Sequence, residues 1–363
     1  MRHTLAALVI LATVTVTAQA AVPPYFMLEL NLQGQKVEGT LLTWSETQVN
    51  LLSRDGRLLH FHPREAAGYH KTADRFRSLP VSEFRALLLR ELGSGYEVSG
   101  TDHYLVAHPA GTGEVWTQRF EDLYRSFFHY FAVRGFRPEE PDFPLVGIVA
   151  GSREEFQRFS AEEGSPAAAG VLGYYALQTN RIMLYDVGGG RDSSSDWRQN
   201  AATAIHEATH QTAFNTGIHS RYAPPPLWVA EGLATLFEAP GVNDSDHHPN
   251  LAERVNRGRY VPFIKGVSPR HRPELLGDVV ASDAVFQSAP AAAYAEAWAL
   301  TFYLVETQPA KYFQYLARTA RRPPFSAYTA AERTADFTAV FGNDWPMLEA
   351  QFLRFMRDPA LAL

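Results

Sequence analysis

The chain has 363 residues, 46% hydrophobic and 20% charged, with a formal net charge of −6 and no cysteine. Mild acidity spread along the sequence gives no reason to expect nucleic acid as a partner, and the absence of cysteine excludes disulfides and thiolate chemistry, so any metal site must use histidine and carboxylate. This much apolar residue over this length suffices for two domains.

Residues 1–20 have the form of a secretory signal peptide: Arg2, a largely apolar run over 5–16, and the small-x-small pattern Ala18-Gln19-Ala20. The run is too short to span a bilayer, and no later stretch is long and apolar enough, so a periplasmic or secreted protein without a transmembrane anchor is expected. Over 22–72, period-two segments at 26–32, 36–43, 48–52 and 57–61, punctuated by Gly34 and Asp55-Gly56, predict a small SH3-like β-barrel. His60 and His62 share a strand face there and, lacking a third ligand, are expected to be surface residues. Residues 69–80 are polar and basic and predict a linker.

A second domain is expected over 80–360. Its first helix, 82–92, has Phe84, Leu87, Leu88 and Leu92 on one side, followed by paired strands at 96–98 and 104–108. Residues 114–133 carry Phe120, Leu123, Tyr124, Phe127 and Phe131 at helical spacing, a core stripe. A strand at 145–150 precedes a capping box, Ser152 to Glu155, which opens another helix. Residues 173–177 and 181–185, joined by Gln178-Thr179-Asn180, predict a hairpin, and 188–195 a flexible glycine-rich loop. The next helix has Asp196 to cap it and Gly217 to end it. Past 238 the sequence is loop-rich at 244–249 and 268–273, then helical at 291–306, 311–319, 330–341 and 345–356. The fold class expected is α+β with a helical C-terminal half.

The chemistry concentrates at His206-Glu207-Ala208-Thr209-His210. On a helix, residues i and i+4 share a face one turn apart, so both imidazoles can point at one ion while Glu207 reaches a water on its open side. Glu231 is the third ligand we favour. The intervening twenty residues allow one helix to close, turn through Pro224-Pro225-Pro226, and a second to start; Glu238 and His219 compete for the role. With nitrogen and carboxylate donors the ion expected is Zn2+. Glu238 lies seven residues, two turns, past Glu231 and can accept the ring N–H of a ligand histidine. Tyr294 is our choice for stabilising an oxyanion, with Tyr222 as the alternative.

Through these residues the chain resembles the gluzincins, metallopeptidases that join HExxH to a glutamate on the following helix. Residues 228–238 are similar to the aminopeptidase N and leukotriene A4 hydrolase branch, which carries Trp-x-x-Glu-Gly and a second glutamate where Glu238 stands. A wider likeness, over about 104–355, is to a bacterial domain-of-unknown-function family with gluzincin-like motifs around 206–211, 214–217 and 227–228. The resemblance implies a zincin-like catalytic domain with His206, His210 and Glu231 on the metal, Glu207 as general base, Tyr294 near the oxyanion, and a peptide or protein substrate. It also implies that the hairpin offers substrate an edge strand. The chain lacks the Gly-Ala-Met-Glu-Asn segment by which that branch holds a substrate amino terminus, so exopeptidase action gains no support. Ala213 and Thr216 rule out the longer metzincin motif. Two other uses of the site stand beside the peptidase: an amidase acting on cell-wall material, and a non-catalytic envelope scaffold that keeps metal for stability. Nothing in the sequence sets the oligomeric state.

Overall fold

Alternating apolar residues separated by tight turns build the first sheet. A computed structural model describes residues 26–112, 115–164, 170–186, 194–270 and 275–361. In it β1 (Met27–Leu32), β2 (Gln35–Trp44), β3 (Val49–Ser53), β4 (Leu58–Phe61) and β5 (Ala66–Ala73) form an antiparallel sheet ordered β4-β3-β2-β1-β5. Gln33 and Gly34, both at positive φ, close the first hairpin. β5 occupies part of the segment expected to be a linker. It pairs along the β1 edge with nearly every side chain exposed, so it carries no hydrophobic alternation to betray it. The expected signal peptide lies outside the described residues.

The second sheet holds β6 (Tyr96–Gly100), β7 (Tyr104–Pro109), β8 (Leu145–Ala150), β9 (Gly173–Ala176) and β10 (Arg181–Tyr185), ordered β6-β7-β8-β10-β9. β7, β8 and β10 run parallel, while β9 returns antiparallel along β10 and forms the edge. Period-two alternation divides its side chains between two cores. Leu105, Ala107, Val146, Ile148 and Met183 face α1 (Val81–Leu92) through Phe84 and Leu88, and Leu42, Leu52 and Leu58 of the first sheet join the same cluster. Tyr104, Val106, Leu145, Val149, Ile182 and Leu184 face the other way, onto Trp116, Phe120 and Tyr124 of α2 (Val115–Ala132). On the first face, α3 (Arg153–Glu162) starts where Ser152 Oγ accepts from the Glu155 N–H at 3.1 Å; the Glu155 carboxylate turns to the Gly151 N–H.

The rest is helical. α4 (Ser194–Asn215) and α5 (Leu227–Phe237) are followed by α6 (Pro240–Asn243), α7 (Arg257–Pro262), α8 (Leu275–Ala281) and α9 (Ala284–Ser288). Then come α10 (Pro290–Thr307), α11 (Pro309–Ala320), α12 (Ala330–Phe341) and α13 (Trp345–Met356). Two expectations change here. α4 begins at Ser194, which puts Asp196 in its first turn rather than at its cap, and what described residues there are of the expected 188–195 loop already belong to this helix. The expected loop at 244–249 is present, but 268–270 of the second expected loop is helical, and most of the described residues between Glu238 and α10 form short helical pieces, too brief to show a 3.6-residue period. A core around Trp228, Trp298, Tyr312, Tyr315, Phe337 and Phe352 holds the helices together. The chain is thus a mixed α+β protein; among the described residues no helix is long and apolar enough to cross a membrane.

Candidate metal centre

Helix α4 presents two adjacent stripes to different neighbours. Glu207, Gln211 and Asn215, four residues apart, face the β9–β10 hairpin. Glu207 Oε2 accepts the Tyr175 N–H at 2.7 Å, an amide that points away from β10. Gln211, fully buried, donates to the carbonyls of Asn180 (2.8 Å) and Val146 (3.0 Å). Asn215 exchanges hydrogen bonds with Asn180 at 2.7 and 2.8 Å, and Asn180 also accepts from the Tyr175 hydroxyl. Asn180 sits at φ 61°, a left-handed conformation that asparagine tolerates better than most residues. Close approach is enforced at Gly173, where a Cβ would lie 2.8 Å from Thr203 of α4 and nearer still to Leu184.

The second stripe, His206 and His210, faces α5. The three prolines end the preceding loop, and Pro226, at φ −53°, stands before the first residue of α5. Asp283 accepts the Leu227 N–H at 3.0 Å, so the helix start is capped from a distant loop. Gly232 lets α5 lie against α10, since a Cβ there would sit 2.1 Å from Thr301 Oγ1. These contacts set Glu231 opposite the histidines. His206 Nε2 lies 3.1 Å from Glu231 Oε2 and 3.2 Å from His210 Nε2, and His210 Nε2 lies 3.5 Å from the same carboxylate oxygen. One atom from each of the three residues lies within 4.8 Å of the others, and together they could hold a metal ion.

Behind this group, His206 Nδ1 donates to Glu238 Oε1 at 2.8 Å, which leaves the Nε2 lone pair directed at the other two donors. Glu238 Oε2 accepts from Asn256 Nδ2 at 2.7 Å, and Asn256 also donates to the Thr235 carbonyl. Arg259 Nη2 approaches Glu238 Oε1 at 3.3 Å. Asn256 and Arg259, which sequence reasoning missed, flank and begin the short α7, where no periodic pattern marks them.

Electrostatics favours a cation. Glu207, Glu231 and Glu238 carry three negative charges around the histidine pair, against one guanidinium. Burial would lower the His206 pKa, but its hydrogen bonds to Glu231 and Glu238 outweigh burial and push it up to about 10. Burial would raise the Glu231 carboxyl, yet His210 and His206 hold it well below the usual carboxylate range. With Nδ1–H committed to Glu238, a neutral His206 turns a lone pair toward Glu231, a contact that only a proton or a metal ion makes favourable. The donor set therefore fits a divalent ion such as zinc.

Tyr294 of α10 is brought to this site. Its ring centroid lies 6.3 Å from that of His206, and burial together with the adjacent Glu231 carboxylate raises its phenol, which keeps its proton. Tyr222 instead packs toward Phe325, at 6.2 Å. His219 is buried against Phe214 with neither ring nitrogen hydrogen-bonded and stands outside the three-donor group. His60 hydrogen-bonds Asn50 in the first sheet, far in the chain from these donors.

A family model described as a protein of unknown function, DUF1570, matches residues 200–326. That stretch contains all three donors, Glu207, Glu238, Asn256, Arg259 and Tyr294. No curated protein matches the chain.

Proposed function

We propose that this chain is an exported zinc hydrolase of gluzincin type, with a zincin-like catalytic domain behind a small SH3-like β-domain, and that it hydrolyses peptide bonds. One observation carries the reading. His206, His210 and Glu231 bring three donor atoms together, and Glu207, next to His206 on α4, is a carboxylate outside that set which a purely structural metal site does not need. When bound, the ion supplies Lewis acidity, which can bring a water's pKa to about 7 and polarise a carbonyl. Glu207 would take a proton from the attacking water and pass it to the leaving amine. Its carboxylate is aimed by the Tyr175 amide, so base and edge strand are fixed to each other. Tyr294, protonated, donates a hydrogen bond to the oxyanion as it forms. Strand β9 ends its sheet, and the part of its outer edge that Glu207 does not occupy is offered to an extended peptide, which would place the scissile bond along α4. The leader sequence supports export.

The test compares wild type with Glu207→Gln for metal content and for hydrolysis of a mixed protein substrate. Equal metal with activity reduced at least about 100-fold in the variant is expected. Equal metal and no activity in either protein would instead support a scaffold, and hydrolysis confined to wall fragments would support an amidase.

A further inference from the structure

Arg259 is placed for more than neutralising Glu238. Its contact to Glu238 Oε1, 3.3 Å, is long for a charge-assisted bond, which is usually about 2.7–2.9 Å. Glu238 is already satisfied by shorter bonds from His206 (2.8 Å) and Asn256 (2.7 Å). The guanidinium also lies over the Tyr294 ring, 5.2 Å from its centroid, and that ring adjoins His206. Its side chain is 30% exposed, and among the described residues Glu238 is the single group that its N–H donors meet within hydrogen-bond distance. A planar fork with uncommitted donors beside the candidate metal donors matches an oxyanion, and the one that a peptide substrate offers is a carboxylate. The other charged groups facing the centre, Glu207, Glu231 and Glu238, would repel it.

We infer that Arg259 is a specificity-determining residue that binds a carboxylate of the substrate, so that preferred peptides carry a negative charge close to the bond that is cut. This rests on the peptidase reading above. The carboxylate is either the peptide's C-terminus, which would make the enzyme cut near chain ends, or an acidic side chain.

Binding to zinc-loaded Glu207→Gln protein, followed by calorimetry, tests this without turnover. Three peptides of one sequence are compared: neutral and amidated, neutral with a free C-terminal carboxylate, and amidated with one added glutamate. One of the two carboxylate peptides should bind about tenfold more tightly than the neutral one. Adding Arg259→Gln, with zinc held at saturation, should erase that difference, and Arg259→Lys should keep part of it. The peptide that gains identifies the source of the carboxylate. Equal affinity for all three, or an equal loss for all three in Arg259→Gln, would overturn the assignment. Wild type cutting all three peptides equally well would overturn it and leave the peptidase reading standing. A protein that neither binds nor cuts any peptide would overturn both.

Discussion

A single hydrogen bond of 2.8 Å, from His206 Nδ1 to Glu238, decides which ring nitrogen of His206 is free to bind metal. Glu238→Gln keeps the shape but removes the charge that orients the ring. Metal affinity, measured by competition with a chelator, should fall by about 10–100-fold, and an unchanged value would remove Glu238 from the site. The metal-free protein should also show an unusual pH profile, because two buried histidines titrate in opposite senses. His206 has its folded pKa raised to about 10, so its stabilisation is complete below the unfolded value of 6.5 and is lost as pH rises toward 10. His219 is the reverse case. Burial, helped by the nearby His210, depresses it to about 3, so its stability is present above 6.5 and is lost as pH falls toward 3. Denaturant unfolding of metal-free protein should therefore peak near pH 6.5, with each limb contributing up to about 1.4 kcal/mol per pH unit. Metal should abolish the alkaline limb, and His219→Phe should remove the acid limb from pH 6.5 down to the carboxylate range, where the depressed Glu231 carboxyl takes over; a flat profile would contradict both assignments. The sequence made the first two candidate donors and their neighbour Glu207 legible because HExxH is a local pattern of helical spacing. Glu231, Glu238 and Tyr294 were reachable by helix phase and resemblance. Asn256 and Arg259 were not, because their roles arise from where α7 packs and no local spacing records it.

Between elements, the closeness of α5 and α10 determines where Glu231 stands. Gly232→Ala would force a Cβ to 2.1 Å from Thr301 Oγ1 and 2.7 Å from the Ala297 carbonyl. Backbone cannot yield as a flexible side chain can, so a loss of about 1–3 kcal/mol is expected, accompanied by weaker metal binding as Glu231 is pushed outward. Gly277, inside α8, is the opposite case: a Cβ added there would meet nothing within 4 Å, and its φ is not positive. Gly277→Ala should stabilise the protein by about 0.5–1 kcal/mol and leave metal affinity alone. Thermal unfolding of the pair checks both signs, and a neutral Gly232→Ala would mean that α5 is not held by this contact. Legibility follows the same physics. Amphipathic helices such as α2, α11 and α12 can be read from period alone, as can the hairpin with its turn residues. Strand β5 cannot, because main-chain bonding to β1 holds it while its side chains face solvent. The short helices from α6 to α9 cannot either, because one or two turns do not establish a period.

Across the whole molecule, the first sheet is joined to the metal centre through Arg221. This buried guanidinium donates to the Gly56 carbonyl, in the β3–β4 turn, at 2.8 Å and to the Leu177 carbonyl, in the β9–β10 turn, at 2.7 Å. Beside it the Leu58 N–H donates to the Gln178 carbonyl at 2.8 Å. The hairpin so gripped is the one whose Tyr175 amide holds Glu207 and whose outer edge would receive a peptide. Leu42, Leu52 and Leu58 also complete the core over Phe84 and Leu88, so the first sheet packs on the second as part of one apolar cluster. Arg221→Ala should therefore act at two distances. Locally it leaves two carbonyls without their donor, which should cost about 2–3 kcal/mol in denaturant unfolding. Remotely it frees the hairpin to shift along α4, and the loss should fall mainly on KM for extended peptides, with metal content unchanged because His206, His210 and Glu231 touch neither turn. Arg221→Lys, which keeps the charge but not the planar fork, should recover only part of either effect. A destabilised variant with unaltered KM would show that the first sheet merely adds stability; a raised KM with intact metal would make it part of the substrate-binding apparatus.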